Sequence, residues 1–195
     1  ARYRKSYKIF LKMFNKIFCV SDNDYRQIKM NISNDKIYKI GNPRYDRILN
    51  NLENVEYKLD LSLKDKGNIL IFASMWDEDN KIIFEKFINS PLVNRFEKVI
   101  IVPHEVNDYY LNYYCSVLED NDFSFKKINQ YQNFNQFEEK YIIVNKVGFL
   151  SKLYAQSTIA YVGGGFSKSG IHNIIEPAAA SNPVIFGSNF LNSNK

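Results

Sequence analysis

The residues best suited to chemistry lie in the last quarter of the chain. Gly163-Gly164-Gly165-Phe166-Ser167-Lys168-Ser169-Gly170 follows an apolar run, and Ile171-His172-Asn173 opens the next helical stretch. Consecutive glycines let main chain approach a ligand closely, and the N–H groups at a helix start suit an anion. The pattern is not a P-loop, because no Gly-Lys-Ser/Thr ending follows. It is not GxGxxG either, because Lys168 stands where the third glycine belongs. Crowding between strand and helix would equally demand small residues here. Asn173 and Glu176 have the spacing of a capping box, which satisfies two helix N–H groups and nothing more. The same carboxylate suits a ribose, since it can accept two hydroxyl hydrogen bonds at once. His172 reads as a structural imidazole or as a donor to a phosphate or carboxylate.

These residues need a scaffold, and the apolar pattern supplies one. Strand-like runs fall at 68–74, 98–103, 124–129, 141–145, 158–164 and 183–187, with helical stretches at 78–90, 106–119, 149–156 and 173–181. Short apolar runs alternating with helices predict an α/β domain, a parallel sheet with helices on both faces. In such sheets ligands bind beyond the carboxyl ends of the strands. Ser74 and Trp76 follow the first run, His104 the second, and Gly148 with Phe149 the fourth. Both histidines, the only tryptophan and the glycine triplet therefore converge on one predicted edge. Packing alone would also explain Trp76, a helix N-cap ahead of Glu78 would explain Ser74, and capping of the next helix would explain His104.

The first part of the chain is organised differently. Residues 3–18 read as an amphipathic helix, with Ile9, Met13, Ile17 in one row and Phe10, Phe14, Phe18 in another. Its lysines make either a solvated face over a core-packing helix or a face near anionic lipid head groups. Phe18-Cys19-Val20 and 36–40 read as strands, and Ser21 with Asp24 has capping-box spacing ahead of a helix at 22–31. The polar stretch 45–67 reads as a linker with a short helix.

Composition excludes several classes. Of the 195 residues, 45% are hydrophobic and 24% charged, which suits a folded globular chain and excludes general disorder. No apolar run is long enough to span a bilayer. Six of the 26 basic side chains lie in residues 1–16, leaving 20 basic against 21 acidic groups elsewhere. The body thus lacks the basic surface of a nucleic-acid-binding domain. Cys19 and Cys115 have no paired spacing and are expected as reduced thiols in or near the core, forming neither a metal site nor a disulfide. The first residue is Ala, which suggests a processed chain or a fragment.

Residues 145–154 (NKVGFLSKLY), 159–166 (IAYVGGGF), 170–179 (GIHNIIEPAA) and 182–187 (NPVIFG) together resemble the 3-deoxy-D-manno-octulosonic acid (Kdo) transferases. The HNxxEPA element after a glycine-rich strand end is the most specific feature. Ala73-Ser74-x-Trp76 followed by acids, and Gly41-Asn42-Pro43-Arg44-Tyr45-Asp46, add support. The resemblance implies a GT-B fold of two Rossmann-like domains. Residues 1–44 would be the end of the N-terminal domain, 45–67 the interdomain linker, and 68–195 the nucleotide-sugar-binding domain, incomplete at its C-terminus.

The resemblance also implies a reaction: inverting transfer of Kdo from CMP-Kdo to a lipid A precursor, without a metal or other cofactor. It places the full protein at the cytoplasmic face of the bacterial inner membrane. The general base, the acceptor site and the membrane anchor would lie outside this chain, which alone is expected to be soluble and inactive. Within it, Gly163, Gly164, Gly165 and the helix start at Asn173 would receive the departing phosphate. Glu176 would hold the ribose, and Gly148 and Phe149 would flank the cytosine. Ser74, His104, Lys168 and His172 are candidates for phosphate or sugar-carboxylate contacts. Many members have Pro-Arg-His where this chain has Pro103-His104-Glu105. His104 is therefore a candidate replacement for that arginine. Alternatives are another GT-B enzyme using a UDP-sugar, a UDP-sugar 2-epimerase, or a non-catalytic nucleotide-binding module.

Overall fold

The computed structural model describes residues 2–53, 68–128, 138–168 and 170–190. They divide into two compact units, residues 1–47 and 48–195. The division falls inside helix α3 (Pro43–Glu53), so a helix occupies the start of the stretch read as a linker. Residues 54–67, the rest of that stretch, lie outside the described residues, as do the last five.

The first unit holds α1 (Arg2–Lys12), β1 (Ile17–Cys19), α2 (Asp22–Lys29) and β2 (Ile37–Lys39), with β1 and β2 paired in parallel. The capping box forms as the spacing predicts: Asp24 N–H donates to Ser21 Oγ at 3.1 Å, and Ser21 N–H to Asp24 Oδ2 at 3.1 Å. The helix expected over 3–18 is shorter. After Lys12 the chain leaves by turns and reaches β1 at Ile17. The two apolar rows consequently do not form a buried face. Leu11 is buried, whereas Ile9 and Met13 are 66% and 77% exposed.

The second unit carries the site. Its sheet has the order β5-β6-β4-β3-β7-β8, all parallel, from β3 (Ile69–Met75), β4 (Lys98–Pro103), β5 (Phe125–Ile128), β6 (Tyr141–Val144), β7 (Ile159–Val162) and β8 (Val184–Phe186). Alternating strand residues feed two cores. Leu70, Phe72, Val99, Ile101 and Tyr161 pack on one face with Phe84, Tyr114 and Leu118. Ile69, Ile71, Ala73, Ile100 and Ala160 pack on the other with Phe149, Leu153 and Tyr154. Burial on both faces explains the continuous apolar runs. Helix α4 (Asp77–Asp79) continues through a π-helical turn (Asn80–Phe84) into α5 (Glu85–Ile88), on the same face as α6 (Asp108–Glu119). Helix α7 (Leu150–Tyr154) covers the opposite face, and α8 (Ile175–Ala179) contacts it. Cys19 and Cys115 are both free and buried. Among the described residues no helix is long and apolar enough to cross a membrane.

Candidate functional site

From β3 the chain passes to β4 on one side, and β7 lies on the other. Such a reversal opens a crevice beyond the strand ends. Two stretches line it: Ser74–Trp76 at the end of β3, and, after β7, residues 163–168 and 170–176.

The β3 end is distorted. Ser74 has φ 54°, and the register slips between Ala73 and Met75. A non-glycine residue in the left-handed region stores strain, and such strain concentrates at functional sites. Ser74 is not a helix cap. Trp76 occupies the N-cap of α4, and its N–H donates to Asp79 Oδ2 at 3.1 Å.

Asp79 is the residue that sequence reasoning missed. Its side chain is completely buried, and its carboxylate accepts three hydrogen bonds. Tyr161 Oη donates to Oδ1 at 2.6 Å, and Gly164 N–H and Trp76 N–H donate to Oδ2 at 2.7 and 3.1 Å. One carboxylate thus ties the β3 turn to the glycine loop. Burial of the Tyr161 phenol favours its neutral form, and the hydrogen bond to Asp79 and the Asp79 charge add to that effect. The expected use of Gly164 N–H as a phosphate donor is therefore corrected, because Asp79 already occupies it.

The triplet is explained by close backbone approach. A Cβ on Gly163 would meet Ser74 O at 2.3 Å, and one on Gly165 would meet Gly187 N at 2.5 Å. Gly164 has φ +92°. Crowding between neighbouring strand ends thus demands glycine at 163 and 165. The loop is braced from below β8, where Asn189 N–H donates to Gly165 O at 2.8 Å and Asn189 Nδ2 to Ser167 O at 2.7 Å. Lys168 is exposed beside it.

The helix expected over 173–181 is only α8, residues Ile175–Ala179. No capping box forms. Asn173 Oδ1 instead accepts from Ile175 N–H at 2.9 Å, an Asx turn, and Asn173 Nδ2 donates to Glu176 Oε1 at 3.2 Å. The cap is lost because the helix starts one residue later than the spacing predicts, with Ile174 at the N-cap. Among the described residues the N–H groups of Asn173 and Ile174 have no acceptor, and neither does Glu176 Oε2 have a donor.

Three rings close the crevice. Trp76 Nε1–H donates to His172 Nε2 at 2.8 Å. His104 stacks on Trp76 with centroids 3.9 Å apart and planes 19° apart, and lies 4.4 Å from the His172 ring. His104 does not cap α6. Asn107 does, accepting from Tyr110 N–H at 3.1 Å. Burial depresses His104 below the usual imidazole range, with Glu105 opposing. Burial and then His104 depress His172, with Asp79 opposing. Unfolded histidine titrates near 6.5. Below about that pH the unfolded chain binds protons that the folded site refuses, so stability falls on acidification. The stabilisation is full above about pH 6.5 and is lost as pH falls through the two depressed values. The melting temperature is expected to drop between pH 7 and 5, and less steeply in a His104→Gln/His172→Gln double variant.

Gly148 and Phe149 follow β6, three strand spacings from β7, about 14 Å. Gly148 is exposed with φ +89°. Phe149 is 4% exposed, its ring packed in the core with Leu153 and Tyr154. Of the two residues expected to flank the cytosine, Phe149 therefore offers its main chain and not its ring. Among the described residues no three His, Cys, Asp or Glu side chains converge as a metal site.

Comparison with known proteins agrees with these motifs. No family model matches the chain. It is 29% identical over 196 residues to a bifunctional glycosyltransferase/methyltransferase of Fusobacterium nucleatum, covering 95% of this chain and 29% of that protein. It is 28% identical over 176 residues to the 3-deoxy-D-manno-octulosonic acid transferase of Chlamydia trachomatis serovar D, covering 88% of this chain and 39% of the relative. The Aquifex aeolicus transferase of the same name is 31% identical over 127 residues, or 64% of this chain and 33% of the relative. The chain thus spans well under half the length of these relatives. The crystal structure of the C-terminal CMP-Kdo binding domain of WaaA from Acinetobacter baumannii superimposes with a TM-score of 0.58 and 18% identity. It covers 76% of this chain and 75% of that one, so the two share a fold.

Proposed function

We propose that this chain is the donor-nucleotide part of a Kdo transferase, binding CMP-Kdo for transfer to a lipid A precursor. One observation carries the reading. The two segments bearing the most specific shared motifs, Ser74–Trp76 and Gly163–Glu176, meet at a single crevice and are tied by Asp79. Inverting transfer needs a base for the acceptor hydroxyl and donors for the departing phosphate. This chain supplies the donors. Ser74 Oγ, His172 Nδ1, the N–H groups of Asn173 and Ile174, and Lys168 are assigned to the phosphate or the sugar carboxylate. Glu176 is assigned to the ribose, and main chain at Gly148 to the cytosine. His104 is assigned to hold Trp76 and His172 in place. This differs from a charged stand-in for arginine, because burial disfavours the charged form of its imidazole.

The base, the acceptor site and any contact with the inner-membrane surface are assigned to the remainder of a full-length protein. The full-length protein is expected to add Kdo to a lipid A precursor in the presence of EDTA, since the reading assigns no metal. This chain alone is expected to add none. Failure of the full-length protein with CMP-Kdo, or turnover with a UDP-sugar instead, would overturn the reading. Ser74→Gly separates site from scaffold. Glycine relieves the left-handed conformation, worth about 1 kcal/mol, so the melting temperature should hold or rise. Loss of the hydroxyl should weaken donor binding about tenfold. A lower melting temperature with unchanged donor binding would show that Ser74 only shapes the turn.

A further inference from the structure

We propose that Trp76 is a positioning residue that holds His172 as the neutral Nδ1–H tautomer, so that the imidazole meets the nucleotide phosphate as a hydrogen-bond donor and not as an acceptor. The inference rests on the reading of His172 as a donor-site ligand. An indole N–H donates only and cannot accept. The 2.8 Å bond from Trp76 Nε1 to His172 Nε2 therefore requires a lone pair on Nε2. A neutral ring with that lone pair carries its one polar hydrogen on Nδ1.

The ring geometry supports an in-plane bond. The Trp76 and His172 planes differ by 18°, but their centroids lie 5.9 Å apart, so the rings meet edge to edge. His104 lies over this pair, 3.9 Å from one centroid and 4.4 Å from the other. Rotation of the indole away from His172 would break that stack. From the other side Asp79 accepts the Trp76 N–H and fixes the turn that carries the indole. Nδ1 of His172 makes no hydrogen bond among the described residues, which leaves its proton for a ligand.

The chain has only two histidines, so long-range 1H–15N spectra of the histidine-labelled protein resolve two rings. His104→Gln assigns them. In the wild type His172 is expected with its proton on Nδ1. In Trp76→Phe the ring partner of His104 remains but the N–H is gone. His172 should then relax to a mixture dominated by the Nε2–H form preferred by free imidazole. With the competent tautomer reduced to roughly a tenth to a fifth, the apparent Kd for CMP rises about five- to tenfold. A wild-type proton on Nε2, or an unchanged tautomer in Trp76→Phe, overturns the inference. So does a changed tautomer with unchanged CMP affinity. Should Trp76→Phe not fold, the wild-type spectrum decides alone, since Nε2–H cannot accept from the indole. Absence of CMP binding in the wild type would defeat the donor-site reading, while the spectra still decide whether Trp76 sets the proton.

Discussion

Asp79→Ala is expected to remove a large part of the stability of the second unit. The substitution leaves Tyr161 Oη, Gly164 N–H and Trp76 N–H without their acceptor. Each unpaired buried donor costs about 1–3 kcal/mol, and the three together about 3–9 kcal/mol. Typical domains hold only about 5–15 kcal/mol, so the loss is severe. At this chain length the melting temperature should fall by about 10–30 °C. Tyr161→Phe removes one donor and leaves the other two bonds, so it should cost only about 1–2 kcal/mol. Asp79→Asn should fall between them, because its amide can serve as acceptor to some donors while its own N–H₂ faces the rest. Thermal melts of the three variants check the order, and amide exchange at Gly164 should rise most in Asp79→Ala. A melting temperature of Asp79→Ala equal to the wild type would remove Asp79 as the tie between the strand ends.

Glu176→Gln is expected to weaken nucleotide binding by about ten- to a hundredfold while the melting temperature barely moves. The structure separates the two effects. Glu176 caps nothing, since Asn173 makes its own Asx turn to Ile175 N–H. Among the described residues its carboxylate accepts one hydrogen bond, from Asn173 Nδ2 to Oε1, and a glutamine oxygen can accept that equally well. Stability should change by only a few tenths of a kcal/mol. A ribose hydroxyl loses a charged acceptor, worth about 1.5–3 kcal/mol, which is the stated range in affinity. Calorimetric titration with CMP and a parallel melt read both quantities. Equal CMP affinity in the variant and the wild type would withdraw the ribose role.

The scaffold was legible because its strands are buried on both faces. Runs such as Lys98–Pro103 and Tyr141–Val144 are fully buried, so apolar continuity marks them without alternation. Ends of elements were harder. Helix α1 stops at Lys12 although Met13 and Phe14 continue the apolar spacing, because Ile17 is needed to pair with Ile37. Helix α8 starts at Ile175, since the Asn173 side chain bonds locally two residues on and does not cap the third. Within the site, the converging residue types were visible and their partners were not. In the sequence Asp79 is only the last of three consecutive acids, Asp77-Glu78-Asp79, and acids in a first helical turn are ordinarily exposed. Only Glu78 of the three is exposed, and the π-helical turn that follows carries Asn80, buried and accepting from Tyr114 Oη at 2.7 Å. One available signal was the three-residue spacing from Trp76 to Asp79, which lets a carboxylate reach the N-cap N–H even where the N-cap side chain accepts nothing.

On the proposed reading the carboxyl edge of the sheet binds a cytidine nucleotide, with its phosphate and ribose in the crevice between β3 and β7 and its base toward Gly148 after β6. Titration of this chain with CMP, UMP and AMP under identical conditions tests it most directly. The three share a ribose and a phosphate and differ in the base. Saturable one-site binding of CMP is expected, at least about tenfold tighter than UMP or AMP, through the main-chain groups near Gly148 assigned to the cytosine edge. Loss of that binding in Glu176→Gln is also expected. Equal binding of all three, binding of UMP in preference to CMP, or no binding of any would contradict this reading.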